Sequence, residues 1–505
     1  MSSWEELNQK TIDALMENDF ARANENAIHA LEAARAEGAE EQIVLSLSNL
    51  GEVQQALGNF ESAEKTVKEA IDLCRRLRGN DSETADLIGG LAVMYSYMGR
   101  HEEAEETFRR ELAIREEDPA GYHETVQCLQ GLAESVLALG RSEEAKKYLE
   151  RCINLIEKNE GTDSVEKGPI LVNMAVVHRQ EGNAEEAGEA LREAIRIYED
   201  KLGPEHPVFA DTMCRLADTY VARGAIDPAK TLYSQAIEIL RSTLEEGDPE
   251  IARKLEELAR LQRTTGENDN AVKTYEEALD IFRKVYGPDS VYAAQIENDL
   301  AEVHMVAGNL EEARGLLAHA LMVREEILGE ASPALAQTLN NMAVLSESQG
   351  KFTEAIALHE RALKIREDVF GSEHPAITQS LDNLAAAYQS TGKFQEAEDL
   401  LRRSVSIWKE TVGDDHPATA QSVFNLGTVL FVRAKYREAW KVVTQAKETM
   451  EAHLGQDNPN MTLPYKALAA IARKLGNKAE EEKYAALFKA ANKSLQQTKQ
   501  ETEAN

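Results

Sequence analysis

The sequence predicts an all-α solenoid of about twelve helix-turn-helix repeats, and three observations lead to this fold class. Glycine recurs every 41 or 42 residues from Gly58 to Gly392 and returns at Gly476. Alanine stands five residues after the turns, from Ala63 to Ala439, and a small residue preceded by Leu or Met stands seven residues before them. A fixed period of about 40 residues is typical of one supersecondary unit stacked on copies of itself.

Each unit has the pattern of a helical hairpin. The small residues let the two helices approach closely, and the neighbouring Leu or Met fills the space beside them. In the ninth repeat, Ala355, His359 and Ala362 fall on one face of the second helix. Asn18 stands at the first turn of the series, and Ala434 replaces glycine at a later turn. At both positions the end of a helix requires a residue with the left-handed backbone conformation. Proline, which suits the first turn of a helix, follows histidine in three junctions, at Pro207, Pro375 and Pro417.

The register divides the chain into four segments. Residues 1–40 are predicted to form an N-terminal capping repeat, because Lys10 and Thr11 replace the usual Leu and small residue. Residues 41–460 form an array of ten repeats. Residues 461–491 form a C-terminal capping hairpin, in which Glu481 replaces the alanine. The polar tail 492–505 is expected to be disordered.

The pattern of Leu or Met beside a small residue before each glycine turn, with alanine after the turn, resembles the tetratricopeptide repeat over residues 4–491. The 42-residue period and the phrase Gly371-Ser372-Glu373-His374-Pro375 are similar to the kinesin light chain subtype. This resemblance implies a right-handed superhelix whose concave groove, lined by the first helices, holds extended peptides. Kinesin light chains carry a heptad coiled coil that docks on the motor before their repeats, whereas residues 4–31 here already form a hairpin pattern.

Composition excludes several functional classes. A net charge of −33 disfavours nucleic acid and anionic membranes as partners, because both are bound through positive surfaces. The opening residues lack a secretory signal and no apolar run is long enough to span a bilayer, so we expect a cytoplasmic protein. The four cysteines lack the paired spacing of a zinc site. Because no phosphate-binding loop, metalloprotease motif or nucleophile elbow occurs, we expect neither an enzyme nor a cofactor.

The predicted site is the groove wall formed by the first helices. Asparagine stands nine residues before the turn in three consecutive repeats, at Asn341, Asn383 and Asn425, and also at Asn173. An amide donates and accepts, so such a ladder can pair with the backbone of an extended peptide. The alternative is that these asparagines tie neighbouring helices together. The wall is expected to continue with amides and two exposed rings, at Gln337, Asn340, Gln379, Gln421, Phe424 and Phe431.

A second candidate cluster consists of arginines in three successive repeats. Its members are Arg179, Arg215, Arg253, Arg260 and Arg263. The resemblance to kinesin light chains makes short acidic, aromatic-containing motifs candidate ligands for such a cluster. The alternative is that acidic residues of the same wall, such as Asp211 and Glu256, neutralise the arginines.

Two functions follow from these features. The first is a non-enzymatic adaptor or scaffold that binds protein or peptide partners in its groove. The second is a regulatory or motor-associated subunit that docks on a larger complex through its outer surface.

Overall fold

The computed structural model describes residues 3–117, 121–456 and 458–504, with side chains as far as Lys493. Within these residues every regular element is a helix, so the predicted all-α fold is confirmed. The chain divides into two compact units, Met1–Glu245 and Glu246–Asn505, here named unit 1 and unit 2. The sequence pattern runs through this boundary without interruption and does not predict it.

Both units are built from helical hairpins in which an odd-numbered first helix packs against the even-numbered second helix that follows. The helices of unit 1 are α1 Trp4–Met16, α2 Phe20–Glu37, α3 Glu40–Ala56, α4 Phe60–Arg78, α5 Ser82–Tyr97, α6 His101–Arg115, α7 Tyr122–Ala138, α8 Ser142–Glu160, α9 Lys167–Gln180, α10 Ala184–Leu202, α11 Pro207–Ala222 and α12 Ile226–Thr243. The helices of unit 2 are α13 Pro249–Thr264, α14 Asn268–Tyr286, α15 Val291–Ala307, α16 Leu310–Leu328, α17 Pro333–Ser348, α18 Phe352–Phe370, α19 Thr378–Ser390, α20 Phe394–Val412, α21 Pro417–Val432, α22 Tyr436–Leu454, α23 Thr462–Leu475 and α24 Lys478–Ala504. The predicted helix-turn-helix repeats are therefore present along the described chain.

The turns within the hairpins have the backbone conformation that the sequence predicts. The periodic glycines adopt positive φ, and so do Asn18 at 56° and Ala434 at 59°. The histidines of the His-Pro junctions cap the helices that follow. The ring Nδ1 accepts a hydrogen bond from the backbone N–H two residues later, at distances of 3.3, 3.1 and 3.2 Å for His206, His374 and His416. These histidines therefore have a local structural role.

Small residues set the close approach of the paired helices. Ala355 is fully buried between its neighbours. At Gly427 an added Cβ would lie 2.2 Å from Cγ2 of Val443, so this position of α21 admits only glycine without a rearrangement. The requirement for a small residue thus follows directly from the distance between the helices.

The C-terminal segment differs from the sequence prediction. The backbone of α24 is helical through Ala504, whereas residues 492–505 were expected to be a disordered tail. The segment contains no glycine or proline and is rich in Gln, Lys and Glu, which favour helix once a hairpin has started it. Residues 1, 2 and 505 of the predicted terminal segments lie outside the described residues. In the described part of the chain, no helix has the combination of length and apolar character that a membrane crossing requires.

Candidate peptide-binding face

The first helices of unit 2 form one continuous wall. Helices α13, α15, α17, α19 and α21 each contact the first helix of the next repeat, which for α21 is α23, in addition to their own hairpin partners. Among the described residues, second helices of consecutive repeats make at most sparse contacts with one another. The first helices are therefore the more closely spaced set, and we call them the inner wall of unit 2.

Asn341 ties neighbouring repeats together on this wall. Its Nδ2 donates to Oδ1 of Asn298 at 3.1 Å and to Oε1 of Glu302 at 2.7 Å, both on the preceding first helix. Glu302 in turn accepts a hydrogen bond from Nη1 of Arg263 on α13. The amide of Asn341 and the guanidinium of Arg263 are therefore engaged within the wall, as the alternative interpretation of the asparagines expected.

The same bridging contact occurs in unit 1. Nδ2 of Asn49 donates to Oδ1 of Asn8 at 2.8 Å, and Nδ2 of Asn173 approaches Oε1 of Glu134 at 3.5 Å. Burial raises the pKa of Glu134, and the hydrogen bond from Asn173 acts in the opposite direction. In each case the asparagine bonds to the first helix one repeat earlier, which stabilises the spacing of the repeats.

Two predictions for the wall are wrong. Asn340 is only 5% exposed, because its side chain points between the helices. There its Nδ2 donates to Oγ of Ser380 at 3.3 Å, and its Oδ1 lies 2.8 Å from Nδ1 of His359. Phe424 is 8% exposed and belongs to the hydrophobic core of the last repeats, and Phe431 is half-buried against that core. The two rings therefore do not form an exposed aromatic anchor, because packing within the last repeats covers them.

The remaining amides of the wall lie on α17, α19 and α21. Gln337 and Asn383 are half-buried and Gln379 is exposed, and none of the three has a hydrogen-bond partner among the described residues. Exposed Gln421 donates from Nε2 to Oδ1 of Asn425 at 3.1 Å, and the Asn425 side chain in turn acts as a hydrogen-bond partner of Asp382 on α19. The first three side chains therefore retain unused hydrogen-bonding capacity among the described residues.

The predicted arginine cluster is divided between the two units. In unit 1, Arg179 is exposed without an ion pair among the described residues, and Arg215 pairs with Asp211 at 2.8 Å. In unit 2, Arg253 pairs with Glu250 at 2.5 Å. Arg215 and Arg253 are thus neutralised locally, which matches the alternative interpretation of the cluster.

Arg260 is exposed on the same helix and forms no ion pair among the described residues. Because Arg263 is already paired with Glu302, only one arginine of the unit 2 group is available to a ligand.

Acidic side chains on the same wall are partly desolvated. Burial, followed by the charge of Asp299, raises the pKa of Glu256 to about 7. Burial also raises the pKa of Glu302 and of Asp382. The sequence places Glu256 on this wall only as a charge that neutralises the arginines, and it does not predict that these carboxylates are desolvated.

One group of three side chains in the described residues of unit 1 offers atoms within 4.8 Å of one another that a metal ion could bind: His123, Glu160 and Glu166. All three are partly exposed, and the Glu160 carboxylate accepts hydrogen bonds from Tyr122 and Ser164. A solvated hydrogen-bonded cluster accounts for this arrangement, and no metal function is derived from it.

The hairpins, the positive-φ turns and the continuous first-helix wall define a helical-repeat solenoid. The sequence model of the tetratricopeptide repeat family matches residues 42–117, 83–158, 166–242, 250–304, 292–368, 335–410 and 376–452. The chain belongs to the tetratricopeptide repeat family, and that prediction is confirmed. Repeat solenoids of this kind present extended surfaces to protein partners.

Several solved structures are similar to parts or most of the chain. BtubC (BKLC) from P. vanneervenii is 30% identical over 47% of this chain and 92% of its own, with a TM-score of 0.39. A structure from Podosopora anserina described as "kinesin light chain nearly identical TPR-like repeats" is 24% identical over 49% and 98%, with a TM-score of 0.28. The APC/C hetero-tetramer Cut9-Hcn1 is 15% identical over 94% and 97%, with a TM-score of 0.41. A search of the curated proteins found no match.

Proposed function

We propose that the chain is a non-enzymatic scaffold that binds an extended segment of a partner protein along the inner wall of unit 2. The observation that carries this proposal is a set of three amides on α17 and α19 that have no hydrogen-bond partner within the described residues, namely Gln337, Gln379 and Asn383. Polar side chains in a helix interior are mildly unfavourable for the helix, so amides at repeated wall positions favour a binding role. An extended backbone offers both N–H and C=O groups to such amides.

The proposal includes the class of partner and the compartment. A net charge of −33 favours protein partners over nucleic acid and anionic membranes. All four cysteines are free and buried, which agrees with a reducing compartment such as the cytoplasm.

A peptide-selection experiment tests this function. Random peptides of about twelve residues, long enough to lie across several first helices, are selected on the full chain. Their affinities are then measured for the double variant Gln379→Ala/Asn383→Ala. We expect a loss of about tenfold, because two hydrogen-bonding side chains are removed from the wall.

Gln395→Ala is the matched control for that experiment. It removes an exposed amide from the second helix α20, where Nε2 of Gln395 donates to the carboxylate of Asp399. Equal affinities for the double variant and for wild type would contradict the proposal, and so would an equal loss in the control.

A second candidate function is docking on a larger complex through the edge of unit 2 where the second helices end. One or two residues before each junction glycine stands a half-exposed apolar side chain, with exposed fractions from 39% to 53%. This apolar edge consists of Val285, Ile327, Val369, Val412 and Leu454. Repeated apolar exposure of this kind favours a protein contact. Ile327→Lys/Val369→Lys would then reduce the size of the native assembly, whereas the Gln379→Ala/Asn383→Ala variant would leave that size unchanged.

A further inference from the structure

A groove in unit 2 is formed by the consecutive second helices α14 and α16 together with α15. It contains a cavity of about 510 Å³. Buried Leu279 and Leu300 and half-buried Leu316 line this cavity, and so do the exposed side chains of Glu276 on α14 and Glu312 on α16. We call it the α14–α16 groove. It combines an apolar lining with two carboxylates that come from neighbouring second helices.

Gly315 keeps this groove open on the side of α16. It lies in the interior of the helix, where glycine is unfavourable relative to alanine, and it lines the cavity. An added Cβ would meet nothing within 4 Å, so no neighbouring group requires glycine here. Five other repeats carry lysine at the same position, seven residues after the turn: Lys65, Lys147, Lys273, Lys441 and Lys483. The absence of a side chain at Gly315 therefore leaves room for a group from outside the chain.

The positions of Glu276 and Glu312 hold an ion pair in two other repeats. Glu276 stands ten residues after its turn, and Glu312 stands four residues after the next turn. The counterparts are Arg109, which pairs with Glu144 at 2.8 Å, and Arg402, which pairs with Glu438 at 2.5 Å. The two positions thus lie within ion-pair reach across consecutive second helices. In the α14–α16 groove the arginine of this pair is replaced by a second glutamate.

Two other junctions of the array also carry glutamate at both positions. There, however, the residue that corresponds to Gly315 is acidic. The two sets are Glu150 and Glu186 with Glu189, and Glu360 and Glu396 with Asp399. Only the α14–α16 groove combines the two glutamates with a position that has no side chain, which makes the other junctions suitable controls.

The cations that line the groove are bonded to a different carboxylate. Nη2 of Arg283 donates to Oε1 of Glu297 at 2.7 Å, and Nδ1 of His319 lies 2.7 Å from Oε2 of the same residue. Glu297 is fully buried, so both of its oxygens are satisfied within the protein. Glu276 and Glu312 form no hydrogen bond or ion pair among the described residues. These two carboxylates are therefore available to a ligand.

We propose that the α14–α16 groove binds an arginine side chain of a partner protein, with its guanidinium group between Glu276 and Glu312. A guanidinium group has five N–H donors in a planar fork and can bond to two carboxylates at once. The aliphatic part of the same side chain packs on apolar surface such as that of Leu316. The bound arginine takes the place that Arg109 and Arg402 fill from within the chain in other repeats. This contact lies on second helices and goes beyond the peptide site proposed for the inner wall.

The probe is a capped pentapeptide with a central arginine, glycine on both sides and a photoreactive leucine beside the C-terminal cap. The control peptide carries citrulline, which keeps the shape of arginine and removes its charge. Both are irradiated with the full chain at about 0.15 M salt, which screens long-range attraction to the acidic protein. Mass spectrometry then maps the labelled residues. We expect the arginine peptide to label α14–α16 about tenfold more than the citrulline peptide, because the charge-assisted bonds are lost in the control.

Four variants distinguish the groove from the rest of the acidic surface. Glu312→Gln should reduce labelling of α14–α16 by about threefold, as expected for one partly solvated ion pair. Gly315→Lys places a cation of the chain itself in the groove and should reduce labelling by about tenfold. Gly315→Ala adds only a Cβ that meets nothing, and it should change labelling by less than about twofold. Glu396→Gln removes the same charge from the position that corresponds to Glu312, and labelling of α14–α16 should again change by less than about twofold.

The inference is overturned if the arginine peptide does not label α14–α16 or if both peptides label it equally. It is also overturned if Glu312→Gln and Glu396→Gln have the same effect, or if Gly315→Lys and Gly315→Ala do. The substituted residues are exposed, and circular dichroism of each variant checks that its fold is kept. The proposed function stands or falls separately, because it depends on peptides that require Gln379 and Asn383 of the inner wall.

Discussion

Ala434 occupies a turn position that glycine fills in most other repeats, and its substitution tests the conformational argument for the array. Its φ is 59°, in the left-handed region. This conformation costs an L-residue roughly 1–2 kcal/mol relative to the right-handed one. Ala434 is exposed, so Ala434→Gly removes no packing, and the backbone hydrogen bond from its N–H to the Phe431 carbonyl, at 3.0 Å, is kept.

The expected gain is smaller than the strain itself. Glycine increases the conformational entropy of the unfolded chain, which offsets about 0.4–1 kcal/mol of the gain. Ala434→Gly should therefore stabilise the protein by about 0.5–1 kcal/mol, measured as a higher urea midpoint by far-ultraviolet circular dichroism.

The control is the same substitution in a right-handed helix. Ala357→Gly, at an exposed position of α18, should destabilise by about 1 kcal/mol, because glycine is a poor helix former. Both variants replace alanine by glycine, but they should change the stability of the protein in opposite directions. A lower midpoint for Ala434→Gly would refute the reasoning.

Three further outcomes are expected. Gly427→Ala should lower the free energy of unfolding by about 1–3 kcal/mol, because the added Cβ clashes with Val443. Gly90→Ala, where an added Cβ meets nothing, should instead stabilise α5 by about 1 kcal/mol in the same urea titration. The hydrogen bond to buried Glu297 raises the pKa of His319. The stability that this pair contributes is therefore complete below the pKa of His319 in the unfolded chain, and it is lost as the pH rises through the pKa in the folded protein. His319→Gln should reduce this loss when the free energy of unfolding is measured at a series of pH values. Burial raises the pKa of Cys152 to about 12, so this thiol should react with a disulfide reagent only after urea is added, and rapid labelling of the native protein would contradict the assignment.

The sequence was sufficient for the repeat architecture because local backbone chemistry determines it. Asn18 and the periodic glycines adopt the predicted positive φ, since a helix stop of this type admits few other residues. The small positions could be predicted for a similar reason, because close helix packing restricts side-chain volume, as at Ala355.

The candidate site was harder to predict, because register assigns a face but not a rotamer or a partner. Asn340 and Asn341 are adjacent in sequence, yet the first is buried against His359 and the second bridges to Asn298. Phe424 looked exposed by register, but packing of the last repeats covers it. The boundary between units at residues 245 and 246 has no counterpart in the repeat pattern.

The bridge from Asn341 to the preceding first helix has a mechanical consequence. The bond from Asn341 to Asn298 and Glu302 runs along the direction in which the hairpins stack. Tension that pulls the hairpins of unit 2 apart would load this bond before it strains the helices themselves. Removing the amide should therefore lower the force at which this pair of repeats separates in a single-molecule stretching experiment.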